Sequence, residues 1–321
     1  MHPLSQHTSK YGISSKLQEI ICLLSQGHVF EEGEELLKEL LDVEVSAKQI
    51  QRVSEDYGEQ LESQIQSYAK EETAPVLKLR KPEELVYAMF DGSMLFTREE
   101  GWKEIKVGRV FTESSCVNIQ EGRNQIFQSL YVCHLGDHKS FLEKWESYVD
   151  SYPNKIFIAD GAKWIWNHIT DAYPDSVQIL DFFHAVEKIG TYAAIQYKDQ
   201  KKRDRWMNIQ KERLKNNEVG WVIKSLKRTT GRNEEAEKAR IDVIRYYENN
   251  RDRMQYKTYL DKGYLIGSGA IESAHRNVIQ QRMKLSGQRW SVKGAQQIAN
   301  LRACKKSNQW STVVNLIKAA A

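Results

Sequence analysis

The chain has 321 residues, 40% of them hydrophobic and 28% charged, with a formal net charge of +4. This length suits one large core with an appended domain, and no apolar run approaches the ~20 residues that would span a membrane. The N-terminus has no basic start followed by an apolar stretch, and the four cysteines form no C-x-x-C pair, so we expect a reduced, cytoplasmic protein without a disulfide framework.

Residues 1–80 are predicted to be helical, because they carry two apolar stripes at helical spacing. The stripes are formed by Leu17, Ile20, Ile21 and Leu24, and by Leu36, Leu37, Leu40 and Leu41. Ser46 followed by Gln49 is a capping box that begins a short third helix, and a Glu-rich linking helix follows it. Two helices joined by a short turn are typical of a helix-turn-helix, with Lys48 and Arg52 facing DNA. The acids of this region, 14 against 8 lysines and arginines, favour a plain helical bundle instead, and both alternatives stay open.

Residues 81–190 change to the pattern of buried strands. Short apolar runs bounded by turn residues replace the helical spacing. The predicted order is three strands, a helix, a strand, a helix and a strand, at residues 85–90, 105–112, 129–134, 140–149, 156–159, 163–173 and 177–182. The first strand is predicted to end at Asp91, and the fourth strand delivers Asp160.

Residues 191–262 break this alternation, because they are highly charged and favour helices, and we predict an all-helical insertion there. Residues 263–321 complete the core with a turn, a helix over 270–284 and a second helix that Ser291 caps. Residues 191–321 carry 28 lysines and arginines against 12 acids, an excess of sixteen positive charges. This excess favours a surface for a polyanion over a merely solvated helical face, since few acids are present as partners.

Three acids lie at predicted element ends. Asp91 and Asp160 each follow a strand and precede a glycine, and Glu272 lies in the first turn of the helix over 270–284. Taken singly, an Asp-Gly pair is typical of a turn, and Glu272 is typical of an acid at the positive end of a helix. Taken together, three carboxylates suit Mg²⁺ or Mn²⁺, and two such ions about 4 Å apart serve phosphodiester chemistry. We therefore predict a two-metal site with all three acids as catalytic ligands.

The order of elements predicts an α/β fold. An acid on the first strand, a second on the fourth and a third on a later helix fit a ribonuclease-H-like mixed sheet, in which the first and fourth strands are neighbours. The helical insertion accounts for the long interval between Asp160 and Glu272. The complete expectation is a ribonuclease-H-like core with an all-helical insertion, preceded by the helical, helix-turn-helix-like region of residues 1–80.

The sequence also resembles bacterial insertion-sequence transposases. The segments that carry the resemblance are Phe90-Asp91-Gly92-Ser93, Ile158-Ala159-Asp160-Gly161-Ala162 and Gly267-Ser268-Gly269-Ala270-Ile271-Glu272-Ser273. Residues 281–291 are similar to the sequence that follows the catalytic Glu in the ISKra4 and ISLre2 families, and ISKra4 is the closer match. The resemblance runs from residue 13 to residue 315.

This resemblance implies a DDE transposase, which cuts DNA at the ends of a mobile element and joins the freed 3′-OH to target DNA. It makes Asp91 and Asp160 ligands that bridge or flank two divalent ions, and Glu272 the third ligand. The implied partners are terminal inverted repeats, target DNA and at least one further copy of the chain, in a nucleoid-associated bacterial protein. Family members usually carry more sequence before the helix-turn-helix-like part, so a shortened N-terminus is also expected.

Other side chains near these acids are candidates for supporting roles. Four cations around and after the Glu272 helix are predicted to grip phosphates: Arg276, Arg282, Lys284 and Arg289. Asp181 and His184 follow the last strand of residues 81–190 and are predicted either to organise the site or to form a structural pair. Two functions compete with transposition: a two-metal nuclease without strand transfer, and a transposon-derived DNA-binding protein without catalysis.

Overall fold

The computed structural model describes residues 11–120 and 123–320. The chain divides into two compact units. Unit 1 comprises Met1–Asn154 and Ala270–Ala321, and unit 2 comprises Lys155–Gly269. Each unit is described by itself.

The N-terminal part of unit 1 contains three helices, α1 (Ser15–Gly27), α2 (Phe30–Leu41) and α3 (Ala47–Glu71). The Ser46 hydroxyl accepts a hydrogen bond from the Gln49 amide at 3.3 Å, so the predicted cap of α3 is confirmed. The prediction of a short helix and a separate linking helix is wrong, because α3 is continuous over 25 residues. A buried stripe runs along its whole length and keeps it helical through the Glu-rich part: Ile50, Val53, Tyr57, Leu61, Ile65 and Tyr68.

The strands of unit 1 are antiparallel. β1 (Val86–Thr97) pairs with β2 (Gly101–Thr112), and β2 pairs with a later strand, β5 (Leu130–Leu135). In the chain between β2 and β5 lies a separate hairpin, formed by β3 (Cys116–Gln120) and β4 (Arg123–Ile126). The apolar pattern did not predict it, because its residues are mostly exposed.

The first strand does not end at Asp91, as the sequence predicted. Asp91 lies inside β1, opposite Val107 of β2, and pairing continues to Thr97 and Gly101 at the hairpin end. Gly101 has a φ of 69°, a value that favours glycine, and this permits the turn. The ladder to β2 satisfies the backbone polar groups beyond Phe90, so the loss of apolar side chains at residue 91 does not end the strand.

Helices pack on the sheet of unit 1. α4 (His138–Val149) contacts β2 and β5, and α13 (Val292–Lys306) lies between α3 and β5. The Ser291 hydroxyl accepts from the Gly294 amide at 3.0 Å, so the predicted cap of α13 is confirmed. α14 (Trp310–Ala319) closes the described chain against α1 and α3.

The packing of β2 on α4 requires a glycine, which gives a testable prediction. A Cβ at Gly108 would overlap the ring of Trp145, which is fully buried, and would lie 2.9 Å from Val132 Cγ1. We expect Gly108→Ala to lower the free energy of unfolding by about 1–3 kcal/mol, since overpacking forces the backbone or the ring to move. Urea denaturation measures the loss. Gly27→Ala is the control, because nothing lies within 4 Å of that Cβ, and an equal loss there would contradict the steric cause.

The helix that bears Glu272 begins as α11 (Gly269–Ala274), continues as a π-helical turn at His275–Gln280 and ends as α12 (Gln281–Met283). This matches the helix predicted over 270–284. π-Helical turns inside α-helices are frequent at functional sites.

Unit 2 opens with β6 (Lys155–Ala159), α5 (Lys163–Ala172) and β7 (Val177–Leu180). The two strands are parallel, with Ala159 opposite Leu180. From residue 182 to residue 261 only helical elements follow: α6 (Phe182–Gln196), α7 (Gln200–Lys215), α8 (Val219–Lys227), α9 (Glu234–Asn250), a short 3₁₀ turn and α10 (Tyr256–Asp261).

The predicted α/β class is confirmed, with antiparallel strands in unit 1, parallel strands in unit 2 and many helices. Within the described part of the chain, no helix combines the length and the apolar character that crossing a bilayer demands.

Candidate functional site

Asp91 presents a half-exposed carboxylate from the middle of β1, with 46% of its side chain accessible. Its Oδ1 accepts a hydrogen bond from the Gly92 amide at 2.7 Å. The neighbouring Met89 and Phe90 are buried, so β1 carries this acid at the point where its buried segment passes into a more open one. A charged group there keeps contact with water while its backbone is fixed by the sheet.

His275 fastens the Glu272 helix to the strand that carries Asp91. Its Nε2 lies 3.1 Å from the backbone oxygen of Asp91, and its Nδ1 lies 3.1 Å from Ser93 Oγ. A carbonyl oxygen only accepts, so Nε2 carries the proton, and Nδ1 accepts from the Ser93 hydroxyl. Burial lowers the pKa of His275, which favours this neutral form at neutral pH.

Glu272 is exposed in the first turn of α11, one turn before His275. The start of this helix has a second attachment, because the buried Arg109 of β2 donates to the carbonyl of Ala270 at 2.7 Å and to Ser129 Oγ at 3.0 Å. Strands β1 and β2 therefore hold the Glu272 helix at two points. Unit 1 thus places the Glu272 helix against the strand that carries Asp91.

Glu104 is an acid of this region that the sequence did not single out. A Cβ at Gly92 would lie 2.6 Å from Glu104 Cδ, so the carboxylate of β2 leans over the backbone next to Asp91. Its Oε2 accepts from the Lys106 ammonium at 2.6 Å. Only the register of the β1–β2 hairpin places Glu104 next to Gly92, and no local sequence motif predicts this position. His275, in contrast, has a signal, because it follows Glu272 by three residues on one helix.

Asp160 lies in unit 2, directly after β6. Its Oδ1 accepts from the Ala162 amide at 3.0 Å, and its backbone oxygen accepts from the Trp166 indole at 2.6 Å. A side chain at Gly161 would overlap the Tyr246 ring, so only glycine permits this approach of α9 to the strand end. Beside this loop lies a cavity of about 690 Å³, bordered by Gly161 and Lys163.

Asp181 ends the neighbouring strand β7 and is fully buried. One oxygen accepts from the His184 amide at 2.6 Å and lies 3.3 Å from His184 Nδ1, and the other accepts from the Ser268 amide. The Phe182 amide donates to the Ile266 carbonyl at 2.9 Å. Asp181 and the following residue thus hold the backbone at Ile266 and Ser268.

The Asp181–His184 pair predicts a pH-dependent stability. The hydrogen bond to Asp181 raises the pKa of His184 to about 9, although burial opposes this. Burial would raise the pKa of Asp181, but hydrogen bonds from His184 and Ser268 outweigh it and lower that pKa. The histidine's contribution is complete below its unfolded pKa of about 6.5 and is lost as the pH rises through about 9. The aspartate's contribution is lost only as the pH falls through its lowered pKa.

We therefore expect His184→Gln to destabilise the protein more at pH 7 than at pH 10, as measured by urea denaturation of both proteins at each pH. The control is Asn167→Gln, at an exposed position with a side chain that does not titrate, and its effect on stability should be the same at pH 7 and at pH 10. An equal loss at both pH values for His184→Gln would contradict the charged pair.

The cations predicted to bind phosphate have different surroundings. Arg276, Arg289, Lys48 and Arg52 are exposed. Lys284 is half-buried, and burial lowers its pKa. Arg282 is only 1% exposed. Helical spacing did not reveal this, since the guanidinium is enclosed by Phe30 and Trp290, which come from distant parts of the sequence.

The donor chemistry of Asp91 and Glu272 suits a divalent ion, because both offer hard carboxylate oxygens near solvent. Among residues 11–120 and 123–320, however, no group of three or more His, Cys, Asp and Glu side chains is arranged to hold a metal ion. Asp91 and Glu272 belong to unit 1, and Asp160 belongs to unit 2.

No family model matches the sequence, and no curated protein matches it. The functional inference consequently depends on the residues described above and on their contacts.

Proposed function

We propose that this chain is a DDE-type transposase with a ribonuclease-H-like core, which cleaves DNA at the ends of a mobile element and transfers the cut strand to target DNA. In this proposal Asp91, Asp160 and Glu272 are the ligands of two Mg²⁺ or Mn²⁺ ions. The resemblance of three sequence blocks to ISKra4-type transposases supports it.

The observation that carries the proposal is the attachment of the Glu272 helix to β1. His275 bonds the backbone of Asp91 itself at 3.1 Å, and Arg109 bonds the first turn of the same helix at 2.7 Å. Two carboxylates that bind one metal pair must keep a fixed spacing although they repel each other. The attachment of the Glu272 helix to the strand at Asp91 meets this requirement. An exposed acid whose only role is to keep the protein soluble would need neither attachment.

The bound ions would activate the attacking oxygen and stabilise the leaving oxygen of the phosphodiester. The residues of the chain have separate tasks. Asp91 and Glu272 would supply negative charge, and the neutral ring of His275 holds the Asp91 backbone against the Glu272 helix. Arg276, exposed one turn after Glu272, offers a cation to the incoming DNA phosphate.

The proposal is tested by incubating the protein with labelled DNA that carries the inverted repeats flanking its gene. We expect cleavage at the repeat ends and joining of the freed 3′ ends to a second DNA, with Mg²⁺ or Mn²⁺ and not with EDTA. Cleavage without joining would favour a two-metal nuclease. Binding with neither reaction, under every divalent ion, would contradict the enzymatic proposal and favour a DNA-binding protein.

A further inference from the structure

A cavity of about 310 Å³ in unit 1 is walled by three arginines that come from separate parts of the chain. Arg98 follows β1, Arg282 belongs to α12 and Arg289 lies in the loop before α13. The loop is joined to the end of β1, because the Arg98 amide donates to the Trp290 carbonyl at 2.8 Å. The fold thus gathers the three guanidinium groups around one space.

Arg282 is the unusual member of this set. Its side chain is buried, its Nε donates to the Ser25 carbonyl at 3.1 Å, and its guanidinium lies 5.2 Å from the Phe30 ring and 5.0 Å from the Trp290 ring. Its Nη1 is buried and has no hydrogen-bond partner among the described residues. Burial lowers the pKa of Arg282 to about 10. A buried cation with an unused donor is costly unless an anion or water satisfies it.

No carboxylate of the described residues is within ion-pair distance of Arg98, Arg282 or Arg289. Glu31 and Glu55 also border the cavity, but each has a different local role. Glu55 accepts from the Gln51 amide at 2.8 Å and lies against Gly294 in the first turn of α13. Glu31 lies in the first turn of α2, where a helix favours negative charge. Glu31 and Glu32 attract Arg282 at longer range and partly offset the effect of burial on its pKa, but neither is in direct contact with its guanidinium, so the cavity keeps room for an external anion.

The surroundings favour the backbone of a nucleic acid as that anion. Arginine groups bind phosphate through paired N–H donors, and a cavity of this size admits one phosphate group. Arg289 lies 6.0 Å from the Phe96 ring, which packs edge-on against Trp102 at 5.5 Å. Trp102 is 67% exposed at the tip of the β1–β2 hairpin. An exposed indole beside a cationic cavity is suited to stack on a base while the arginines hold the phosphate.

We propose that Arg98, Arg282 and Arg289 form a phosphate-binding pocket that grips the DNA backbone, with Trp102 as a stacking platform beside it. The proposal deepens the proposed function and rests on it for the choice of DNA as the ligand. It adds Arg98 and Trp102 to the candidate DNA-binding residues and makes the buried Arg282 the innermost of the three arginines.

The test uses the full chain and a fluorescent 20-base-pair duplex, with binding measured by anisotropy over a range of salt concentrations. Arg98→Ala with Arg289→Ala removes the two exposed cations, so the fold does not depend on a buried substitution. We expect about a tenfold or greater loss of affinity and a fall in the salt slope of about 1 for each arginine. Trp102→Ala is expected to weaken binding to single-stranded DNA more than to the duplex.

The matched control is Arg80→Ala, an exposed arginine of unit 1 that does not border the cavity, which should bind DNA as the wild type does. Unchanged affinity and salt slope in the double variant would overturn the pocket. If inorganic phosphate raises the Tm of the wild type, but not of the double variant, while DNA affinity is unchanged, the pocket takes free phosphate, and the DNA assignment is overturned. DNA cleavage that persists in either case would leave the proposed function standing.

Discussion

Asp91→Asn is expected to lower the rate of metal-dependent DNA cleavage by at least about 10³-fold, which corresponds to about 4 kcal/mol of lost transition-state stabilisation. The substitution removes one negative charge and leaves the shape unchanged. The fold should tolerate it, because an amide oxygen can still accept from the Gly92 amide as Oδ1 does at 2.7 Å. Single-turnover cleavage of labelled repeat-end DNA measures the effect, and unfolding temperatures verify that the variant is folded.

Glu272→Gln should give a loss of the same order. The double variant should be scarcely slower than either single variant, because ligands of one metal site act as a unit and their effects are not additive. Asp175→Asn and Glu39→Gln are matched controls at exposed positions and should retain full activity. Cleavage by Asp91→Asn within a few-fold of the wild type would contradict its role as a ligand.

Asp181→Ala is expected to destabilise the protein by about 2–4 kcal/mol, because it leaves two backbone amides that donate to a buried carboxylate without their acceptor. The change leaves the amides of His184 and Ser268 without their acceptor and leaves the His184 ring without its counter-charge. Urea denaturation measures the loss. Hydrogen exchange should also speed up at the Ser268 amide, because Asp181 is its acceptor.

Two comparisons separate the causes of that loss. Asp181→Asn keeps an acceptor oxygen and loses the charge, so it should fall between the wild type and the alanine variant. Asp175→Ala, an exposed position of the same unit, should change stability by less than about 0.5 kcal/mol. A loss below about 1 kcal/mol in Asp181→Ala would show that the pair does not anchor this segment.

Local sequence patterns predicted the elements whose signal is contained in a few neighbouring residues. The caps at Ser46 and Ser291 and the strand before Asp160 are such cases, because side chains close in sequence determine them. The end of β1 was predicted incorrectly, since the pairing with β2 continues the strand through Asp91 and beyond. A hairpin partner is not visible in the strand's own apolar pattern.

In the candidate site, too, local patterns predicted some features, and long-range packing determined others. The Glu272 helix was predicted from its own sequence, and His275 could have been found by its spacing from Glu272. Glu104 and Arg109 could not be found in this way, because only the register of β2 brings them to the site. The burial of Arg282 could not be predicted for a related reason, since residues from α2 and from the loop before α13 enclose it. Long-range packing determines these positions, and periodicity carries no information about it.

Binding of Mn²⁺ to the full chain tests the central claim most directly, because it does not depend on knowing the DNA substrate. Isothermal titration calorimetry would compare the wild type with Asp91→Asn, Asp160→Asn and Glu272→Gln, and with Asp175→Asn as the control. If the three acids are ligands of one metal pair, each of the three substitutions should weaken Mn²⁺ binding by about tenfold or more, and the control should not. Binding by all three variants that equals the wild type would contradict the account.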